Sequence, residues 1–210
     1  MLLLYPLRNY RAALYKKRRM PLKLNIGCGS IKYAGWINID NLMLNADLLL
    51  DVTKGLPFDD NSVSFIYSEH FLEHVTIIQA EKVLKEFKRC LKKGGVIRTA
   101  MPELDYFIQK YNMKDWRNQE WLSQPEYKFI KSKSRGTMLN WIFYGDMIYT
   151  PVSDPGRHKY IYNEEDFRDL LLRVGFKTVE RCEWKKSRQK ELCGLETRTE
   201  STLILEAQKE

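Results

Sequence analysis

The sequence predicts an open, mostly parallel α/β sheet with helices packed on it. Three observations carry that expectation. From Leu22 onward, short apolar runs alternate with turns and with one strongly patterned helix. A glycine-bearing turn, Gly27-Cys28-Gly29, directly follows the first apolar run. Near the end, a well-capped helical stretch gives way to two further apolar strands. A length of 210 residues suits one domain with a real core, and 44% apolar with 30% charged residues is ordinary for a globular chain.

Taken in order, strands are expected at about 22–27, 36–40, 47–52 and 63–68. A helix follows at about 76–92. Thr76-Ile77-Ile78-Gln79 has the form of a capping box, and Gly94-Gly95 the form of a stop. Ile77, Ala80, Val83, Leu84, Phe87 and Leu91 make its apolar stripe. A fifth strand at about 95–101 is closed by Pro102. Aromatic residues then crowd between Asp105 and Tyr149, among them Trp116, Trp121 and Trp141. Residues 103–160 are therefore expected to be an insertion. It either packs those rings into a satellite core or caps a substrate pocket, and both roles can hold at once. Asn163 caps the helix "NEEDFRDLLLRVGF", with acids in its first turn and Gly175 as its stop. Strands at about 177–184 and 201–207 follow, joined by a basic loop with Lys185, Lys186, Arg188 and Lys190.

The formal charge of +8 is concentrated at one end. Arg8, Arg11, Lys16, Lys17, Arg18, Arg19 and Lys23 face no acid before Asp40, so the rest of the chain is close to neutral. Residues 1–21 are expected to form a basic amphipathic helix opened by Pro6, with Leu7, Tyr10 and Leu14 on one side. It either packs on the domain with a solvated basic end or meets an anionic partner such as a membrane surface or RNA. Its apolar run is too short for a membrane span, and its charges follow the apolar part, the reverse of a secretory signal. Cys28, Cys90, Cys182 and Cys193 form no CxxC pair and share no metal-ligand spacing with the histidines. Free thiols, a cytoplasmic setting and no metal are expected. Asp59-Asp60-Asn61 reads as a turn ahead of a strand.

The stretch "LNIGCGSIKYAGWINID", Leu24 to Asp40, bears on the ligand. A dinucleotide fingerprint needs G-x-G-x-x-G opening a helix, but position 32 is a lysine. Only the nine residues Gly27 to Gly35 separate the two strands, too few for a full crossover helix. Asp40 lies 13 residues after Gly27, nearer than the usual spacing of about 20. A pyrophosphate is poorly served. The glycines still allow close backbone approach, and Asp40, Asp51 and Glu69 fall at or just past strand ends, where open α/β sheets bind ligands. Carboxylates there suit hydroxyl and amino donors and positive charge. S-adenosyl-L-methionine, with its ribose, adenine, ammonium and sulfonium, matches that demand.

Four ordered segments, "LNIGCG", "INID", "DVTKGLPFDDNSVSFIYSEHFLEHV" and "LKEFKRCLKKGGVIRTAMP", resemble class I S-adenosylmethionine-dependent methyltransferases of the type-11-like group. The likeness covers about residues 22–103, with a looser echo at 156–207, and is nearest to short methyltransferases associated with sugar and cell-surface polysaccharide pathways. It implies a Rossmann-like seven-stranded sheet ordered 3-2-1-4-5-7-6, the last strand antiparallel. It also implies that residues 22–210 form a methyltransferase domain, with 103–160 capping the substrate. By the same resemblance Asn25, Ile26, Gly27, Cys28 and Gly29 border the methionine part of the cofactor, and Asp40 holds the ribose hydroxyls. Asp51 and Val52 meet adenine, and Ser68 and Glu69 lie beside the reacting methyl. The family usually carries an acid where this chain has Asn25.

Methyl transfer to a protonated oxygen or nitrogen needs an aligned acceptor and a base. His158, His70 and Glu69 are the leading catalytic candidates, with His74 and Asp154 behind them. The expected acceptor is a small molecule or saccharide. An RNA acceptor, served by the basic segments 8–23 and 185–190, is the alternative, and Asn25 alone suggests a non-catalytic cofactor-binding subunit. The sequence sets no oligomeric state.

Overall fold

The computed structural model describes residues 21–115, 134–145 and 156–210. The expected N-terminal helix, and about half of the aromatic insertion including Trp116, Trp121 and Asp154, lie outside the described residues.

Seven strands form one sheet in the order β3-β2-β1-β4-β5-β7-β6, as the resemblance implied. They are β1 (Leu22–Ile26), β2 (Ile37–Asp40), β3 (Leu48–Leu49), β4 (Val63–Glu69), β5 (Leu91–Met101), β6 (Thr178–Arg181) and β7 (Leu203–Gln208). β7 runs antiparallel to both of its neighbours, and the other pairings are parallel. No helix separates β1 from β2, so the chain turns back in a tight loop and pairs Leu24 with Ile37. The carboxyl ends of β1, β2 and β4 therefore open onto one side with little above them.

Local chemistry accounts for the helices. α1 (Ile77–Cys90) starts at a full capping box, in which the Gln79 N–H donates to the Thr76 hydroxyl and the Thr76 N–H to the Gln79 side chain. It buries Ala80, Val83, Leu84, Phe87 and Cys90. α2 (Leu104–Asn112) and α3 (Arg135–Tyr144) belong to the insertion and pack against each other. α4 (Glu164–Val174) is capped by the Asn163 side-chain oxygen, which accepts from the Asp166 N–H, and stopped by Gly175 in the left-handed conformation.

Two expected boundaries moved. β3 is only two residues long, because Asp51 ends it by capping the 3-10 turn Val52–Lys54. Gly94-Gly95 does not stop α1. The helix ends at Cys90, and the two glycines form an irregularity inside β5, where the β4–β5 register shifts between Val63 and Phe65. A side chain at Gly95 would meet the Lys92 and Ser64 carbonyls at 2.9 and 3.1 Å, so the strand passes there only without one.

Strand alternation splits the core into two faces. Ile26, Ile39, Ile66 and Ile97 join α1 and α4 in the main core. Tyr67 and Val96 point the other way and meet Trp36, Leu192 and Leu195. The second face is thus covered by the excursion between β6 and β7, residues 182–202, and not by a crossover helix. Arg98 fixes this cover. Its guanidinium is fully buried between Glu196 at 2.5 Å and Glu206 at 2.6 Å and donates to the Glu183 carbonyl at 3.2 Å. The basic residues of the excursion face outward instead, where Lys186 pairs with Glu183 and Arg188 with Glu180.

Candidate active site

A cleft of about 420 Å³ opens at the carboxyl ends of β1, β2 and β4, within the range of small-molecule sites. Its floor is the Gly27–Gly29 turn. Gly27 and Gly29 both have positive φ, 65° and 52°. Their surroundings differ: a Cβ on Gly27 would meet the Phe71 side chain at 3.0 Å, whereas one on Gly29 would meet nothing within 4 Å. Gly29 therefore borders the open space of the cleft.

Asp40 organises the rim. Its carboxylate accepts from the N–H groups of Gly29 (2.9 Å), Leu42 (2.8 Å) and Met43 (3.1 Å). Two carboxylate oxygens offer about four lone-pair sites, so one acceptor position is left to face the cleft. Asn25 sits beneath the turn, almost fully buried. It donates both amide protons inward, to the Ile31 carbonyl and to Asn38 Oδ1. Only its neutral oxygen is left for the cleft. Asn38 in turn donates to Asp47, which pairs with Lys32 at 2.7 Å. The negative charge that the family resemblance places at position 25 thus stands two side chains away, at Asp47.

Asp51, Val52 and Cys28 also line the cleft. Burial would raise the Asp51 carboxyl, but bonds from the Thr53 hydroxyl and N–H and from the Lys54 ammonium hold it below its ordinary value. Burial and the nearby Asp40 and Asp47 push the Cys28 thiol up to about 11, which removes it as a nucleophile. Ile26 and Ser68, named from the resemblance, are buried in the sheet and absent from the cleft wall.

Glu69 ends β4 and reaches the cleft, yet its oxygens are occupied. They accept from the Thr197 N–H and hydroxyl, the Arg198 N–H and the Ser201 hydroxyl, at 2.6 to 3.1 Å. That pattern clamps the excursion onto the strand end, and through it Thr197 and Arg198 join the cleft wall. Nothing local in the sequence marks this clamp.

His70 and His74 line the same cleft, and His158 stands directly behind His74 with ring centroids 4.8 Å apart. His158 itself does not line the cleft, although its neighbours Gly156 and Lys159 do. Burial pushes its imidazole down to about 4, so it is neutral near pH 7. The histidines surround a residue the sequence reading passed over. Glu73, in the 3-10 turn Leu72–His74, is 1% exposed. Burial would raise its carboxyl, but the adjacent His70 imidazole outweighs that and lowers it. His70 Nδ1 lies 3.1 Å from Glu73 Oε1, too bent for a linear hydrogen bond, and His70 Nε2 has no partner. Glu73, His74 and His158 offer ligand atoms within 4.8 Å of one another. Linear spacing hid a cluster that closes across more than eighty residues. The usable signal was an acid between two histidines in "EHFLEHV", an otherwise apolar turn.

The residues present fit S-adenosylmethionine: a cradle at Gly29 that a Cβ would fill, and a carboxylate at Asp40 with acceptor capacity left. Residues 37–99 match the family model described as methyltransferase domain, type 11, a stretch that begins just after the glycine turn. Among solved structures, a SAM-dependent methyltransferase from Archaeoglobus fulgidus is similar over 97% of this chain and 94% of its own, at 15% identity and a TM-score of 0.53. YcgJ from Bacillus subtilis is similar over 96% and 99%, at 13% identity and a TM-score of 0.51. A SAM-dependent methyltransferase from Methanosarcina mazei is similar over 94% and 96%, at 17% identity and a TM-score of 0.50. At these identities the likeness is one of fold. No curated protein sequence matches.

Proposed function

We propose that the protein is an S-adenosylmethionine-dependent methyltransferase that moves a methyl group to an oxygen or nitrogen of a small-molecule or saccharide-type acceptor at the end of β4. The observation that carries the reading is a single cleft with an acid-and-glycine bed on one side and His70 and His74 on the other. When bound, the cofactor supplies an electrophilic methyl on a sulfonium. Gly27 and Gly29 let the backbone approach it closely, and the Asn25 oxygen offers a neutral acceptor to its ammonium. Asp40 takes the ribose hydroxyls, while Asp51 and Val52 border the adenine end. Glu69 positions residues 197–201 as a wall that keeps water out, a role its saturated oxygens favour over proton transfer. His70, whose Nε2 has no hydrogen-bond partner, is the group that takes the acceptor's proton. His158, cut off from the cleft by His74, serves the site from behind.

An RNA acceptor is less well supported, because Lys186 and Arg188 are already paired with acids. No helix among the described residues is long and apolar enough to cross a membrane. Calorimetry with S-adenosylhomocysteine and with NAD tests the cofactor bed: only the former is expected to bind, and NAD binding alone would refute the reading. A tritiated-methyl screen over hydroxyl, amine, saccharide and RNA acceptors tests the substrate class. Transfer confined to RNA would overturn the small-acceptor proposal. His70→Ala is expected to lower kcat by about 100-fold or more at unchanged cofactor affinity.

A further inference from the structure

Behind the cleft wall, the turn Leu72–His74 and the segment leading into α4 enclose a group of side chains that cofactor binding does not use. We infer that Glu73, His74 and His158 form a binding site for a divalent transition metal of the zinc type.

Four observations support it. Glu73 is 1% exposed and neither of its oxygens has a hydrogen-bond partner, so the fold holds a carboxylate away from water without a donor. His74 Nδ1 is likewise buried and unpartnered. His158 Nδ1 lies 2.7 Å from the Ile142 carbonyl, so that nitrogen carries the hydrogen and Nε2 keeps the lone pair. Metal-bound histidines are commonly oriented in this way, through a bond from the second ring nitrogen to a carbonyl. Finally, Gly145 leaves room beside Nε2, since a Cβ there would lie 2.9 Å from it.

The donor set identifies the ion. Two imidazoles and one carboxylate suit zinc, with a fourth position open, whereas magnesium and calcium prefer oxygen alone. Bond lengths of about 2.0–2.2 Å place tetrahedral ligands roughly 3.4 Å apart. The three atoms now lie within 4.8 Å of one another, so binding draws them inward by about an ångström, which small side-chain rotations supply. The competing explanation is a proton: a charged His70, 3.1 Å from Glu73, would also balance the carboxylate.

The site adjoins the reacting end of the cleft, since His74 lines it. If the acceptor is a hydroxyl, as the proposed function allows, a dication here would make its proton easier to lose. The O–H bond then breaks with its proton passing to His70 Nε2. The oxygen pair forms the new bond to the methyl carbon, and the carbon–sulfur pair returns to sulfur.

The test uses the metal-free full chain with Co2+ alone, no cofactor or acceptor present, so failure of the acceptor reading cannot affect it. One equivalent is expected to bind with the visible absorption of a four- or five-coordinate ion, to show no thiolate charge-transfer band, and to be displaced by Zn2+. His74→Ala is expected to weaken binding by at least about tenfold. X-ray absorption on the unaltered Co2+ protein keeps the inference testable if that variant fails to fold, and two imidazoles in a nitrogen–oxygen shell are expected. No binding at millimolar Co2+, sulfur in the shell, or equal affinity in folded His74→Ala would each overturn it, and the first would leave His70 as Glu73's counter-charge.

Discussion

Replacing the two glycines of the cofactor turn one at a time separates two kinds of failure. Gly29→Ala puts a methyl group at φ 52°, in the left-handed region, which costs about 1–2 kcal/mol. The methyl meets no protein atom within 4 Å, so no packing penalty adds to it. For a chain of this size that loss lowers Tm by about 2–8 °C. Gly27→Ala carries similar strain at φ 65° and also drives a methyl to within 3.0 Å of Phe71. Overpacking adds about 1–3 kcal/mol, so its melting point falls further. Affinity should follow the opposite order relative to stability. The Gly29→Ala protein is expected to fold yet to bind S-adenosylhomocysteine at least about tenfold more weakly, a loss of about 1.4 kcal/mol, because the methyl occupies the ligand's space. Thermal denaturation and calorimetry on the two variants measure both quantities. Should Gly29→Ala bind within twofold of the unaltered protein, the turn does not touch the cofactor and the placement of the ligand is wrong.

Three further outcomes follow from the same structure. Glu69→Gln keeps the shape of the clamp but sets an amide group against the N–H donors of Thr197 and Arg198; it is expected to cost about 1–3 kcal/mol and to speed hydrogen exchange at residues 197–201, and unchanged exchange would show that the clamp is not closed in solution. Arg98→Met leaves Glu196 and Glu206 buried without their cation and is expected to cost about 3–5 kcal/mol by denaturant titration, with much of the loss recovered when both glutamates become glutamine. Asp47, against the effect of burial, is held below its ordinary 3.8 by Lys32 and Asn38, so its stabilisation is complete above that pH and disappears as pH falls through the lower folded value; Asp47→Asn should flatten this acid limb, and an identical limb in both proteins would count against the network.

What could be read in the sequence was what acts over short range. The capping box at Thr76, the Asn163 cap and the Gly175 stop depend on neighbours within one turn, and each is where the pattern placed it. The short link to β2 correctly argued against a crossover helix, since chain length alone limits it. Gly94-Gly95 misled because a helix stop and a strand irregularity need the same backbone freedom, and only pairing with β4 decides between them. Glu73 and His158, Arg98 and Glu196, and Glu69 and Thr197 meet only once the sheet has formed. A fully buried charge such as Arg98 within "VIRTAM" could have signalled that acids lay elsewhere, but not which ones.

The clamp at Glu69 has a consequence for biosynthesis. Its donors lie at residues 197–201, and the excursion is held by β7, which enters the sheet between β5 and β6. A growing polypeptide that has already made β1 to β5 has every glycine and acid of the cofactor bed, but one wall of that bed is still unmade. The proposed ligand site is thus completed late in synthesis. A nascent chain or a truncation ending before Thr197 would present an open-sided cleft whose Glu69 has lost its partners.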